Sequence, residues 1–365
     1  MAALYPVLIP RQLFSTAPSA LLDESVRPAT ALSQLSPADR LFGWVGQGDS
    51  GQYKGQLRIG STHCPEGANA IERVGDARGV PLVILGAPKP SQARFYGAND
   101  RQGTPYPRGT DKAAMYCPNH GLRGRKVYPH HKAQSDVNDY WDVSANPPLL
   151  NSQPGQPRLY REWRLPANAA AQRSDQNRSI TAWVRPGVKF CFDLQVTNVS
   201  TVELGALLWL LSLDNDCYLR MGGGKPLGFG SVRLSVVEPA GLDLRDGAAI
   251  RSDYARFGGP STAEGRRLRS NDDVQALIAV YRGDLPIALR SPHAAFDDLP
   301  IIKAFLNASR GGGLPVHYPR TQVAPNPSGE NYKWFVANET DSQSRHERYS
   351  LPNLAAADRG LWVLK

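Results

Sequence analysis

The sequence predicts a mixed α+β fold, and three adjacent stretches carry that prediction. In residues 189–196, Phe190, Phe192, Leu194 and Val196 alternate with Lys189, Cys191, Asp193 and Gln195, the period of a strand with one buried face. Ser200 stands three positions before Glu203, the spacing of a helix capping box, and the run to Leu213 is apolar nearly all round. A helix of that composition is buried on most sides. After a glycine-rich stretch, Val232, Leu234 and Val236 resume the strand alternation. The local order reads strand, helix, glycine-rich loop, strand, with the loop running from helix to strand.

Composition sets the outer bounds. A chain of 365 residues suits one large domain or two medium ones. Hydrophobic residues at 41% build a real core, and 21% charged residues are ordinary for a soluble protein. The 34 glycines and 30 prolines argue against a helical bundle, whose helix interiors tolerate neither. Lys and Arg exceed Asp and Glu by 42 to 33, a formal charge of +9. That surplus suits a polyanion, because each neutralised phosphate releases counterions, and it equally suits an ordinary basic protein. Cys64, Cys117, Cys191 and Cys217 form no CxxC pair and fit a reducing cytoplasm rather than a disulfide framework. Pro6 and Pro10 interrupt the apolar opening MAALYPVLIPRQLF and no basic stretch precedes it, so no signal peptide is expected. The most apolar run, 206–213, is too short to span a bilayer, and no membrane partner is expected.

The remaining elements are read along the chain. Residues 1–37 form an irregular N-terminal segment containing prolines 6, 10, 18, 28 and 37. The main domain covers 38–245, and 246–365 is a C-terminal extension packing on it. Leu41, Phe42, Trp44 and Val45, a Gly/Ser turn at 46–51, and Tyr53, Leu57 and Ile59 predict a hairpin. An apolar segment follows at 80–85. From about 98 to 180 runs a polar insertion, long enough that it must be functional or held by a partner. Helical patterns occur at 272–281 and 299–309, and YKWFVAN at 332–338 reads as a strand.

The stretch MGGGKPLGFGSV at 221–232 is the most distinctive motif. Its glycines permit positive φ and close backbone approach, successive N–H groups make anion-binding concavities, and Lys225 adds a charge. It is not a P-loop, since Pro226 follows the lysine and the order is not strand to helix. The bland alternative is a tight connection that needs glycine for packing only.

The segment GGGKPLGFGSVRL at 222–234 resembles the signature loop of the CRISPR-associated RAMP superfamily. The likeness is closest to the large type III (III-D/III-E related) effector backbone subunits. ADRLFGWV at 38–45, YKGQLRIG at 53–60, LRGRKVYPHH at 122–131 and YKWFVAN extend it over roughly residues 37–355. The resemblance implies a ferredoxin-like (RRM-like) RNA-binding fold with a glycine-rich loop, a thumb hairpin that kinks the guide, and long irregular insertions. It implies crRNA, target RNA and other CRISPR effector subunits as partners, in antiviral defence. The guide-contact role carries onto Gly222, Gly223, Gly224, Lys225, Gly228, Phe229 and Gly230. Phe229 is read either as a base-stacking ring or as a core residue.

A second RNA candidate is the basic segment with Arg123, Arg125, Lys126, His130, His131 and Lys132. Arginine pairs with phosphate in a planar fork, while His or Tyr128 stacks on unpaired bases. A merely solvated loop face is the alternative. For metal, Cys117 and His120 in CPNH have ligand spacing, and Cys64 with His63 or His130 would complete a zinc set. Cys191 and Cys217 are read as small core residues.

These features favour a guide-RNA-binding backbone subunit of a type III-like effector ribonucleoprotein. The alternative is a target-RNA-cleaving endoribonuclease subunit of the same complex, and a third reading is a carbohydrate- or nucleotide-processing enzyme with a convergent polar pocket. In the family, cleavage occurs near an acidic residue after the first strand, an opening this sequence does not display. Asp39 reads as a cap or turn residue and Asp49 as part of a hairpin turn, so no catalytic residue is assigned. With no strand or helix pattern before Asp39, another polypeptide is expected to supply the start of the fold.

Overall fold

The computed structural model describes residues 14–48, 51–87, 89–131, 149–151, 159–160, 173, 175–237, 242–255, 270–289, 291–311, 316, 318–319, 331–340 and 348–356. Within them the chain combines helices with small antiparallel strand pairs, the α+β class the sequence predicts.

Helix α1, Pro37–Phe42, begins at a reciprocal cap. Ser36 Oγ accepts from the Asp39 N–H while the Asp39 carboxylate accepts from the Ser36 N–H. The side-chain and then the backbone hydrogen bonds from Ser36 hold the Asp39 carboxyl below its ordinary range. Asp39 is therefore a cap residue, as expected. The hairpin follows with Trp44 opposite Tyr53 and Val45 opposite Gln52, although Leu41 and Phe42 belong to the helix before it. Asp49 lies outside the described residues.

An irregular antiparallel ribbon joins distant parts of the chain. Leu57–Ile59 pairs with Leu194–Val196, Ile71–Arg73 with Ala182–Val184, and Val80–Pro81 with Ser179–Ile180, while His63 bridges Cys191. The alternation read at 189–196 therefore becomes strand only at Leu194–Val196. Phe190 and Phe192 remain 47% and 37% exposed, because a ribbon buries a face only where a second layer packs on it. Each strand pair among the described residues is two-stranded.

Helix α2, Thr201–Leu211, starts at the Ser200/Glu203 capping box that the sequence announces, and only Thr201 in it is exposed. The C-terminal helices are α3, Gly247–Ala255, α4, Asn271–Ala288, and α5, Pro300–Arg310. A third capping box, Ser270 with Asp273, starts α4. At Gly205 the α2 and α4 backbones touch, since a Cβ there would lie 2.2 Å from the Leu277 carbonyl oxygen. Beside this crossing, Trp209, Tyr281 and Leu285 pack on Phe296, Leu299 and Ile302.

The polar stretch after 98 is partly held by its own core. Tyr106, Met115 and Tyr116 are buried with Leu21 and Ala93, and Phe14 and Leu122 pack around them. Residues 132–148, 152–158, 161–172 and 174 of the expected insertion lie outside the described residues. YKWFVAN is not a strand: Lys333–Glu339 forms helix α6. Its buried residues, Trp334, Ala337 and Asn338, recur at helical spacing, and Trp334 is fully enclosed with Phe95. Among the described residues no helix is long and apolar enough to cross a membrane.

Glu203 is buried, and Arg40 of α1 donates to it from outside α2. Desolvation pushes its carboxyl up, but the Ser200 and Arg40 hydrogen bonds outweigh this and the net shift is downward. A lowered folded pKa stabilises the protein above the ordinary value of 4.5, and that contribution is lost as pH falls through the folded pKa. Replacing Glu203 with Ala should cost about 1–3 kcal/mol in urea unfolding at neutral pH, with the deficit shrinking as pH falls below the ordinary value of 4.5 and through the lower folded pKa.

Candidate nucleic-acid interface at the glycine-rich hairpin

The glycine-rich loop connects strand to strand, not helix to strand. Helix α2 ends at Leu211, the chain turns through 212–218, and Leu219–Arg220 then pairs with Ser231–Val232. Strands this short carry no readable period, which is why the sequence suggests a helix–strand connection. The Met221 N–H donates to the Gly230 oxygen at 2.8 Å and closes the hairpin.

Inside the loop, Lys225–Leu227 makes one 3-10 turn between Gly224 at φ 67° and Gly228 at φ 93°. Leu227 is fully buried in a cluster with Leu82, Val83 and Tyr318. Phe229 packs against the same cluster, with its ring 6.1 Å from Trp183. Phe229 is half-buried there. At Gly230, φ is 73° and a Cβ would lie 1.7 Å from the Met221 oxygen. Gly222 and Gly223, in contrast, are exposed with nothing within 4 Å of a built Cβ. The loop thus divides into an anchored half, 224–230, and an open glycine tip at 222–223.

Arg220, which no motif marks, organises the loop from below. Its Nη2 donates to the Lys225 oxygen at 2.7 Å, and Nη1 donates to the Gly228 oxygen at 3.4 Å and to Ser231 Oγ. Desolvation lowers its pKa. Lys225 Nζ folds back to donate to the Gly222 oxygen at 3.0 Å, which sets its ammonium beside the tip. The detectable signal would have been the register, since pairing LR with SV places Arg220 opposite Ser231.

Part of the basic segment meets this hairpin. His130 is buried with Nδ1 2.7 Å from Ser231 Oγ, its ring stacks on Tyr218 at 4.4 Å, and its backbone N–H donates to the Ala308 oxygen of α5. The His131 ring lies 3.0 Å from a Cβ built on Gly228. The two stretches singled out in the sequence therefore converge through these histidines. Arg123 instead donates to the Leu351 oxygen at 2.5 Å. Arg125 is exposed. Lys126 sits 5.8 Å from the Tyr96 ring and 5.9 Å from Tyr128, and desolvation of its ammonium lowers its pKa although the residue as a whole is exposed. Lys132 lies outside the described residues.

The CPNH segment is a turn. The Cys117 N–H donates to His120 Nδ1 at 3.1 Å, Tyr106 OH is 3.1 Å from the same nitrogen, and the Cys117 thiol faces the Ala114 oxygen. Cys64 faces Glu66, and His63 pairs through its backbone with Cys191. Among the described residues, the one cluster with three converging ligand atoms is Asp214, Asp216 and Cys217, and Arg310 pairs with both carboxylates. Cys217 is buried and Cys191 is exposed. A half-open cleft of about 490 Å³ lies nearby, lined in part by Asp214, Arg282, Asp297 and Arg310. These charges pair with one another, Arg282 with Asp297 and Arg310 with Asp214, rather than converging on the space.

No family model and no curated protein matches the sequence.

The two halves of the loop should respond differently to a methyl group. Gly230→Ala forces a Cβ into the Met221 carbonyl at positive φ and should destabilise by about 2 kcal/mol or more. Gly223→Ala meets open space and should stay within about 0.5 kcal/mol of the parent in thermal unfolding.

Proposed function

We propose that this chain binds guide RNA as a backbone subunit of a type III-like CRISPR effector ribonucleoprotein in the cytoplasm, built on a ferredoxin-like core and serving antiviral defence. The observation that carries the reading is the exposed glycine tip at 222–223, with Lys225 folded against it and the hairpin beneath it anchored by Leu227. Backbone with no side chains can approach a sugar–phosphate chain closely, and a neighbouring ammonium neutralises phosphate without reading sequence. The net charge of +9 supports the same polyanionic ligand. Target RNA and other effector subunits are the further partners the reading entails. Asp39, engaged in capping α1, lends no support to a cleavage role.

Single-stranded RNA should bind the purified chain with an affinity that falls as salt rises, with a log–log slope of about −0.7 for each phosphate neutralised. Lys225→Glu should weaken binding about tenfold or more and leave thermal unfolding unchanged. A slope near zero sinks the reading. Sequencing the RNA that co-purifies from the native operon separates a guide from bulk cellular RNA.

A further inference from the structure

The loop's conformation depends on a side chain outside its glycines. Arg220 reaches the Lys225 oxygen, the Gly228 oxygen and Ser231 Oγ with the terminal nitrogens of one guanidinium. The first two acceptors bracket the 3-10 turn, and the third lies on the opposite strand of the hairpin. A planar fork can satisfy acceptors in several fixed directions at once, which an ammonium cannot do from one position. The guanidinium is half-buried, and its Nε has no hydrogen-bond partner among the described residues. Its two terminal nitrogens are turned inward to the loop's own oxygens, so the group is spent on the loop rather than presented to solvent.

We propose that Arg220 is the positioning residue of the RNA-binding loop: it clamps the turn at 225–228 so that the glycine tip at 222–223 is preformed, and it does not itself contact phosphate. A preformed loop loses less conformational entropy when it binds, so the clamp acts on affinity without adding a charge contact. The inference rests on the RNA-binding reading of the loop, but it makes a claim about the free protein that can be measured without RNA.

The test uses the full chain with Arg220→Gln, Arg220→Lys and Ser231→Ala, a single-stranded RNA oligonucleotide, and amide hydrogen exchange. Arg220→Gln should bind RNA about tenfold more weakly with an unchanged salt slope, and amides at 222–225 should exchange faster than in the parent. Arg220→Lys keeps the charge and should fail to restore affinity, because the fork is what matters. A slope shallower by about 0.7 in Arg220→Gln means that the guanidinium neutralises a phosphate, and that overturns the proposal. Parent-like affinity and exchange in both Arg220 variants overturn it as well. If circular dichroism shows the Arg220 variants unfolded, Ser231→Ala decides by the same two readouts. If the parent binds no RNA, the functional reading fails. Exchange in the free protein then judges the clamp alone: faster exchange in Arg220→Gln supports it, and unchanged exchange overturns it.

Discussion

Leu227 is where separate parts of the chain meet, and its burial constrains each of them. The residue sits in a loop otherwise made of glycines, a lysine, a proline and a phenylalanine, yet its side chain is fully enclosed. Its cluster takes Leu82 and Val83 from the end of the ribbon, Tyr318 from the C-terminal part, and Phe335 from α6 at the periphery. Enclosing a leucine contributes about 1.5–3 kcal/mol, which offsets the backbone entropy of only one or two ordered residues, so the loop also needs the hydrogen bonds around it. Because Leu227 points inward, the residues on either side must bend sharply. The left-handed glycines at 224 and 228 meet that requirement.

The clamp by Arg220 follows from the same geometry. A 3-10 turn leaves carbonyl groups without helical partners, and a half-buried carbonyl needs a donor. Arg220 supplies a donor to the Gly228 oxygen from the adjoining strand, and a second donor to the Lys225 oxygen, which already accepts the Gly228 N–H of the turn. Ser231 is shared between Arg220 and His130, and this draws the end of the basic segment onto the hairpin. The candidate interface is thus a small polar network set over an apolar anchor. Its order does not depend on a large sheet.

Elsewhere the charged groups pair locally. Arg310 holds Asp214 and Asp216, Arg282 holds Asp297, and Glu203 ties α2 to Arg40. Arg310 thus stands between the two carboxylates of the Asp214, Asp216 and Cys217 cluster, one cation shared by two anions. Most of these pairs are exposed and contribute little to stability, whereas Glu203 sits in a buried cap and contributes more.

Local signals were legible in the sequence because they act over a few residues. The capping box at Ser200 and Glu203, the helix near 272–281, the one at 299–309 and the cap role of Asp39 all appear in the structure. Each is a hydrogen bond or a period contained within a turn or two of chain. The glycine stretch was equally visible as a special backbone. Only the tertiary structure decided that this stretch joins two strands, that its tip and not its middle is open, and that Arg220 and His130 support it. The His130 contact joins residues 101 apart in sequence, and the hairpin with its Arg220 contacts rests on strands of two residues, too short to leave a period. The same limit explains YKWFVAN, whose aromatic residues suit a strand by composition but whose burial against Phe95 follows a helix. It also explains Phe190 and Phe192, where alternation states which residues share a face and tertiary packing alone decides whether anything covers that face.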